Sequence, residues 1–355
     1  MRASPLSERI FGWFRRAFTE GHSSVSLRRG ARVHVIILDG TLSSLERGRK
    51  TNAGRLYHLL QEVGGDLSLY YEAGLQWSDW RSMSDIVVGR GINPQIRRAY
   101  GFLASRYKPG DQIYFFGYSR GAYAVRSLAG VIDTIGLLRA EHATERNVRQ
   151  AYRLYRCNRP GSDVATRFAA LHCHEQAPIR VVGVWDTVKA LGLRLPLIWR
   201  ITNDAHAFHN ARLGPSIQHG FHALAYNERR MAYAPVLWSA SPGWDGHVEQ
   251  VWFRGVHGDV GGQLRGHEEA RGLSNIPLVW MLDRAHHVGL PLPEGWAARF
   301  PQDPAAPSSG NWSGWGMLFL HRRMRRTCTD PSERLHETLD QPRRGETPAQ
   351  SCRAT

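Results

Sequence analysis

The sequence predicts an α/β domain: a mainly parallel sheet with helices packed on both faces. Two observations carry the prediction. Apolar runs of strand length, such as "VHVIILDGT" and "PIRVVGVWDTV", alternate along the chain with stretches of helical spacing such as "INPQIRRAYGFLASRY". The strand-like runs are also apolar nearly throughout, the pattern of strands covered on both sides. No internal repeat interrupts the alternation.

Taken in order, residues 8–18 ("ERIFGWFRRAF") read as a short helix with Ile10, Phe11, Phe14 and Phe18 on one face and Arg15 and Arg16 opposite. Such a helix suits either a membrane interface or the flank of a domain. "VHVIILDGT" is the first buried strand with its loop, and "GGDLSLYYEAG" the second. "INPQIRRAYGFLASRY" places Ile92, Ile96, Ala99, Tyr100 and Leu103 at helical spacing and stops at "KPGD". "QIYFFGY" is a third strand that runs straight into the helical "RGAYAVRSLAGVIDTIG". Two helical segments, "ERNVRQAYRLYR" and "DVATRFAALHCHE", precede a fourth strand that ends at Asp186. Next, "GFHALAYNERR" reads as a helix, "VEQVWFRGVHGDVGG" as a strand entering a Gly-rich loop, and "LSNIPLVWMLDRAHHVG" as an amphipathic helix. From about Pro301 the Pro, Ser, Gly and Trp content predicts loops and a weakly structured end.

The 355 residues suit one large domain, and 42% hydrophobic with 22% charged residues is a globular composition. No apolar run approaches the roughly 20 residues that span a bilayer. The first residues carry only a short apolar patch, Ile10 to Phe14, where a signal peptide needs roughly 7–15 residues. The expectation is therefore a protein that is cytoplasmic in the producing cell, with any delivery outside it made without a signal peptide. Cys157, Cys173, Cys328 and Cys352 lie far apart with no CxxC pair, which predicts free thiols rather than a disulfide framework or a zinc ribbon. The net charge of +15 is almost wholly arginine, since lysine occurs only at Lys50, Lys108 and Lys189. Genome composition or attraction to a polyanion would each account for it. Basic clusters stand at "SLRRGAR", "HRRMRR" and "QPRR", but no nucleic-acid motif accompanies them, so no specific nucleic-acid binding is expected.

The chemistry gathers at Gly117-Tyr118-Ser119-Arg120-Gly121. This is G-x-S-x-G set between a predicted strand and a predicted helix, the context of a nucleophile elbow. Gly117 and Gly121 keep side chains out of a cramped turn. The helix start then aims free N–H groups at the point where an oxyanion would form. A serine needs a histidine base, itself oriented by a carboxylate. Asp186, closing "RVVGVWDTV", and His257, in "VWFRGVHGDVGG", supply these in the order Ser, Asp, His that follows such an elbow. Helix capping would also explain Asp186, and Asp259 would also explain His257 by holding it in a loop or by orienting it in place of Asp186. For the oxyanion, the N–H of Arg120 is one expected donor and that of Gly40 or Thr41, in the "LDGT" loop, the other. Asp39 is acceptor-only and is expected to brace that loop. Each donor would be worth roughly 2.7–4 kcal/mol in the transition state.

"VIILDGT", the stretch from "GINPQ" to "SLAGVI", "VVGVWDTVKALG", "FHALAYNERRMAYAPVLW", "QVWFRGVHGDVGG" and "LSNIPLVWMLDRA" together resemble successive blocks of one family. It is an uncharacterised α/β-hydrolase domain family that includes the type VI secretion lipase effectors of family one. The resemblance covers about residues 32–340. It implies an α/β-hydrolase-like three-layer sandwich and a phospholipase with Ser119, Asp186 and His257 as its catalytic residues. Leu42 and Ser43 stand where the family has Trp-Asn, Gln263 where it has a third glycine, and Gly258 where serine is common. These departures bear on substrate fit more than on the chemistry.

The expected organisation is a basic amphipathic segment at 1–31, the hydrolase domain at 32–340 and a flexible tail at 341–355. The expected partners are a lipid or ester substrate, an anionic membrane surface, and an immunity or secretion-system protein. A small-ester esterase and a non-catalytic polyanion-binding module are the alternatives. No cofactor or metal is called for. His206 with His209 and His219 with His222 make two H-x-x-H pairs, which structural hydrogen bonding accounts for, and His172 and His174, flanking Cys173, read as a surface or core pair. Gly89-Arg90-Gly91 lacks the rest of a dinucleotide fingerprint.

Overall fold

The computed structural model describes residues 33–46, 48–65, 67–74, 92–157, 162–188, 212–241, 243–310 and 321–339. The segments 1–31 and 341–355, Gly89-Arg90-Gly91, His206, His209, and the tryptophans of 311–320 lie outside them.

Seven strands form one sheet: β1 (Val33–Leu38), β2 (Leu67–Glu72), β3 (Gln112–Tyr118), β4 (Ile179–Trp185), β5 (Ile217–Ala225), β6 (His247–Phe253) and β7 (Glu333–Leu335). Their spatial order is β2-β1-β3-β4-β5-β6-β7, and every neighbouring pair is parallel. The principal helices are α1 (Asn52–Val63), α2 (Ile92–Ala104), α3 (Arg120–Ile135), α4 (Glu145–Cys157), α5 (Asp163–His172), the one-turn α6 (His257–Gly261) and α7 (Arg271–His287).

Alternate strand residues feed two cores. Ile36, Leu38, Phe115, Val182 and Val184 pack under α2, α3, α4 and α5. Val35, Ile37, Tyr114, Phe116 and Val181 pack under α1 and α7 on the other face. The predicted three layers are thus present, and burial on both faces is why "VHVIIL" is apolar throughout.

Four local expectations need correction. "GFHALAYNERR" is not helical, because most of it lies in β5. Phe221, Ala223 and Ala225 enter one core, and a strand apolar on both faces imitates helical spacing. His219 and His222, three apart on a strand, therefore point to opposite faces and cannot share a metal. No group of three or more His, Cys, Asp or Glu side chains able to hold a metal occurs among the described residues. Helix α1 was not anticipated, although Thr51 caps it by accepting from Gly54 N–H at 2.9 Å. Within the region read as loops, β7 closes the sheet edge, with Glu333 accepting from Trp252 Nε1 at 2.7 Å and from the Thr329 and Asp330 N–H groups at 2.8 Å each. Cys328 is disulfide-bonded, whereas Cys157 and Cys173 are free as expected; spacing along the chain does not reveal a pairing made by the fold.

Candidate active site

The site lies where the sheet order reverses. From β1 the chain passes to β2 on one side, while β3 and the later strands build the other. The crevice beyond the carboxyl ends at such a point is where open α/β sheets take ligands. Register brings the candidate residues level there: Leu38 pairs with Gly117, Gly117 with Val184, Tyr118 with Trp185, and Trp185 with Ala223. The next residues are Asp39, Ser119 and Asp186. Ser119 N–H extends the ladder to Trp185 O (3.0 Å) and Asp186 N–H to Ala223 O (2.8 Å).

Ser119 sits between β3 and α3 at φ 57, ψ −117, a region that costs a non-glycine residue about 1–3 kcal/mol. Its neighbours explain why the turn is tolerated only here. A Cβ on Gly117 would lie 2.7 Å from Ala122 N and Gly121 O, and one on Gly121 would lie 2.0 Å from Leu38 O. Both glycines are therefore obligatory spacers between strand and helix. Gly121→Ala is expected to destabilise the fold by about 3 kcal/mol or more, read as a lower thermal midpoint. Gly243→Ala, whose added Cβ would meet nothing within 4 Å but whose φ is +75, should cost only the milder strain of its backbone.

His257 opens α6 and is buried with its ring between two tyrosines. Tyr233 stacks on one face at a centroid distance of 4.7 Å and 7°, and Tyr118 covers the other at 4.9 Å and 30°. Backbone bonds fix both sides of the residue: His257 N–H donates to Glu228 Oε2 (3.2 Å), and Tyr118 OH donates to His257 O (3.3 Å). His257 Nδ1 lies 2.6 Å from Asp186 Oδ2, and Nε2 lies 2.8 Å from Ser119 Oγ. An ionised carboxylate only accepts, so Nδ1 carries the proton and the Nε2 lone pair faces the serine hydroxyl.

Asp186 is wholly buried. Its Oδ1 accepts from Ala225 N–H (3.0 Å) and Arg325 Nη1 (2.6 Å), and its Oδ2 from Arg325 Nη2 (3.0 Å) as well as from His257. Burial alone would raise this carboxyl. The Arg325 guanidinium and the His257 ring outweigh it and hold the group far below the usual carboxylate range. Arg325 was not foreseen. It belongs to the basic "HRRMRR" cluster and turns inward. Tyr233 and Glu228 stand inside the family-like block "FHALAYNERRMAYAPVLW", but nothing in it singles them out, and their place in the fold reveals them.

The alternative acid is accounted for elsewhere. Asp259 accepts from Val256 N–H (2.9 Å), Ser308 Oγ (2.5 Å), and Ser309 N–H and Oγ (2.9 and 2.6 Å), so it steadies the loop around His257 while Asp186 meets the imidazole. Asp39 accepts three hydrogen bonds around the first loop. Its Oδ1 accepts from Gly40 N–H (2.7 Å), and its Oδ2 from Thr51 Oγ1 (2.6 Å) and Tyr71 OH (2.7 Å). Burial pushes the Asp39 carboxyl up in spite of these donors. Gly40 N–H is thereby occupied, which leaves Thr41 as the donor that loop can offer. Neither Thr41 N–H nor Arg120 N–H has a protein acceptor among the described residues. Gly40 itself passes so close that a Cβ there would lie 2.6 Å from Tyr118 Cδ1 and 3.4 Å from Ser119 Cβ. Gln263, the departure noted in the glycine loop, donates from Nε2 to Thr41 O at 2.9 Å and ties the two loops together.

His222 is buried under β5 and accepts from Thr187 N–H through Nε2 (3.2 Å), with Nδ1 3.3 Å from Gln250 Oε1. Burial, reinforced by Arg126, lowers it to about 3. It is a neutral structural histidine, in keeping with the hydrogen-bonding role expected of it.

A parallel sheet walled by helices, with a serine on a sharp strand-to-helix turn, defines an α/β protein of the hydrolase-like class. Residues 32–284 match the model of the T6SS phospholipase effector Tle1-like catalytic domain, and the chain belongs to that family. It is also similar to the uncharacterized protein YEL023C of Saccharomyces cerevisiae, 26% identical over a 264-residue alignment that covers 66% of this chain and 37% of the yeast protein. Among solved structures, an uncharacterized protein from Pseudomonas aeruginosa aligns over 84% of this chain and 52% of its own, at 17% identity and a TM-score of 0.41. The Tle1 effector bound to the VgrG spike of the type 6 secretion system aligns over 66% and 51%, at 19% identity and a TM-score of 0.37. The chain thus spans about half the length of these solved proteins and just over a third of the yeast relative.

Proposed function

We propose that this chain is a serine hydrolase that cleaves carboxylic ester bonds of phospholipids. The observation that carries the reading is the continuous bonding from Ser119 Oγ through His257 to Asp186, at 2.8 and 2.6 Å, on a strained elbow. Ser119 Oγ attacks the acyl carbon as His257 Nε2 takes its proton. Asp186 holds the imidazole in the required tautomer and balances the imidazolium. The N–H groups of Arg120 and Thr41 receive the oxyanion. Collapse expels the alcohol, which takes the proton back from His257. Water then repeats the sequence and frees the fatty acid, so atoms and charge balance without a cofactor.

Family membership supports the phospholipid class and, with it, service as a type VI secretion effector delivered by that apparatus and countered by an immunity protein in the producing cell. The test begins with an activity-based probe. A fluorophosphonate should add one adduct to the wild-type protein and none to Ser119→Ala, by intact mass. Vesicles of phosphatidylethanolamine and phosphatidylglycerol should then yield free fatty acid and lysolipid. Labelling without vesicle hydrolysis, alongside turnover of short soluble esters, would replace the phospholipid substrate by a small ester. Absence of labelling on folded protein would reject the hydrolase.

A further inference from the structure

Arg325 lies outside the 32–284 span that matches the family model, yet it reaches the acid of the site. Its side chain is 5% exposed. Nη1 donates to Asp186 Oδ1 (2.6 Å) and Ala225 O (2.8 Å), and Nη2 to Asp186 Oδ2 (3.0 Å) and Tyr233 O (2.5 Å). The backbone around it is pinned, since Met231 N–H donates to His321 O (3.0 Å) and Arg323 N–H to Arg229 O (2.8 Å). Holding a loop would need only the carbonyl contacts. The two bonds to Asp186 do something more, because Oδ2 also accepts from His257 Nδ1. A carboxylate bound on both oxygens by a guanidinium is locked in plane and has part of its charge compensated. An imidazole beside it then gains less from becoming imidazolium.

We propose that Arg325 is a positioning residue: it fixes the Asp186 carboxylate against His257 and, by sharing its charge, sets how strongly that carboxylate balances the imidazolium formed when His257 takes the Ser119 proton. The inference rests on the hydrolytic reading above. Among the described residues, the other groups facing this pair are Tyr118 at the end of β3, Ser119 in the turn after it, His222 from β5, and Glu228, Arg230 and Tyr233 from the loop after β5. Asp259 on α6 and, behind His222, Arg126 on α3 complete the set. Burial keeps His222 neutral and pushes Tyr118 far up. Burial raises Glu228 too, but Arg230 more than reverses that and keeps it ionised. These three hold one charge state from pH 5 to 8, so they do not blur the expected change.

The experiment follows the rate of fluorophosphonate addition to Ser119 by intact mass from pH 5 to 8, on the full chain. Wild type is compared with the neutral variants Arg325→Gln and Arg325→Met and with Arg325→Lys, each checked by thermal melting. The pH of half-maximal labelling should move up in the neutral variants, since loss of a nearby cation favours the imidazolium. Arg325→Lys, which keeps the charge, should stay close to wild type. A packing role alone would lower the melting temperature and leave that pH in place. An unmoved profile in a folded neutral variant overturns the proposal, as does a Lys variant shifted as far as Gln. Failure of both neutral variants to fold would overturn it in favour of a structural role. An unlabelled wild type would instead remove the hydrolytic reading beneath it.

Discussion

Ser119→Ala is expected to lower phospholipid hydrolysis by about 10⁶-fold, His257→Ala by nearly as much, and the double substitution by no more than either. The expectation follows from the 2.8 Å bond between Nε2 and Oγ. A hydroxyl without its base keeps its proton and scarcely attacks, and a base without its hydroxyl has nothing to activate. What survives in all three variants is binding and the N–H pair of Arg120 and Thr41, worth roughly 10³–10⁴ over water. Single-turnover release of fatty acid from vesicles measures the losses. Losses that multiplied in the double variant would mean that the two groups act separately, and the proton-transfer scheme would fall.

Asp186→Asn should cost about 10⁴-fold in turnover while leaving the fold in place. The reason lies in who surrounds the carboxylate. Two donors, Ala225 N–H and Arg325 Nη1, converge on Oδ1 and one, Arg325 Nη2, reaches Oδ2, so the amide oxygen goes to the Oδ1 position and Nη2 gives up its bond. The amide nitrogen then faces His257 Nδ1 and donates to it, which drives the ring proton to Nε2. That nitrogen can no longer take a proton from Ser119. Stability should respond to pH as well. Asp186 is held below the ordinary carboxylate range in the fold, so its contribution is complete above about pH 4–5 and is lost as pH falls below that range. Thermal melting should therefore show a shallower acid-side decline in Asp186→Asn than in wild type. Equal turnover in the two proteins would show that Asp186 does not set the tautomer.

The elbow was legible because its signals are local. Gly117, Ser119 and Gly121 sit within five residues, and the strand and helix around them have their own periodicities. The order Ser119, Asp186, His257 was legible too, since each follows a strand at its carboxyl end. Arg325 was not: it acts 139 residues from Asp186, and its neighbours in sequence look like a solvated basic run. Tyr233 stacks on His257 from a stretch with no regular periodicity. Strand β5 misled because a strand buried on both faces carries apolar residues at every offset. Strand β7 is three residues long, too short for any period to emerge. Helix α1 offered Thr51 as a cap and Leu56, Leu59 and Leu60 at helical spacing, so its absence from the expected elements reflects an overlooked pattern rather than a missing one.

The place of Arg325 in the chain also sets a timetable. Synthesis runs from the N-terminus at roughly 5–20 residues per second, so Ser119 exists for about 10–40 s before Arg325 is made. Asp186 and His257 follow Ser119 within that interval, and only for its last part, about 3–14 s, do all three exist with no cation across the carboxylate. Strand β7 arrives later still to close the sheet edge. In the hydrolase proposed above, the cation that steadies the acid is thus made only after the three residues it serves.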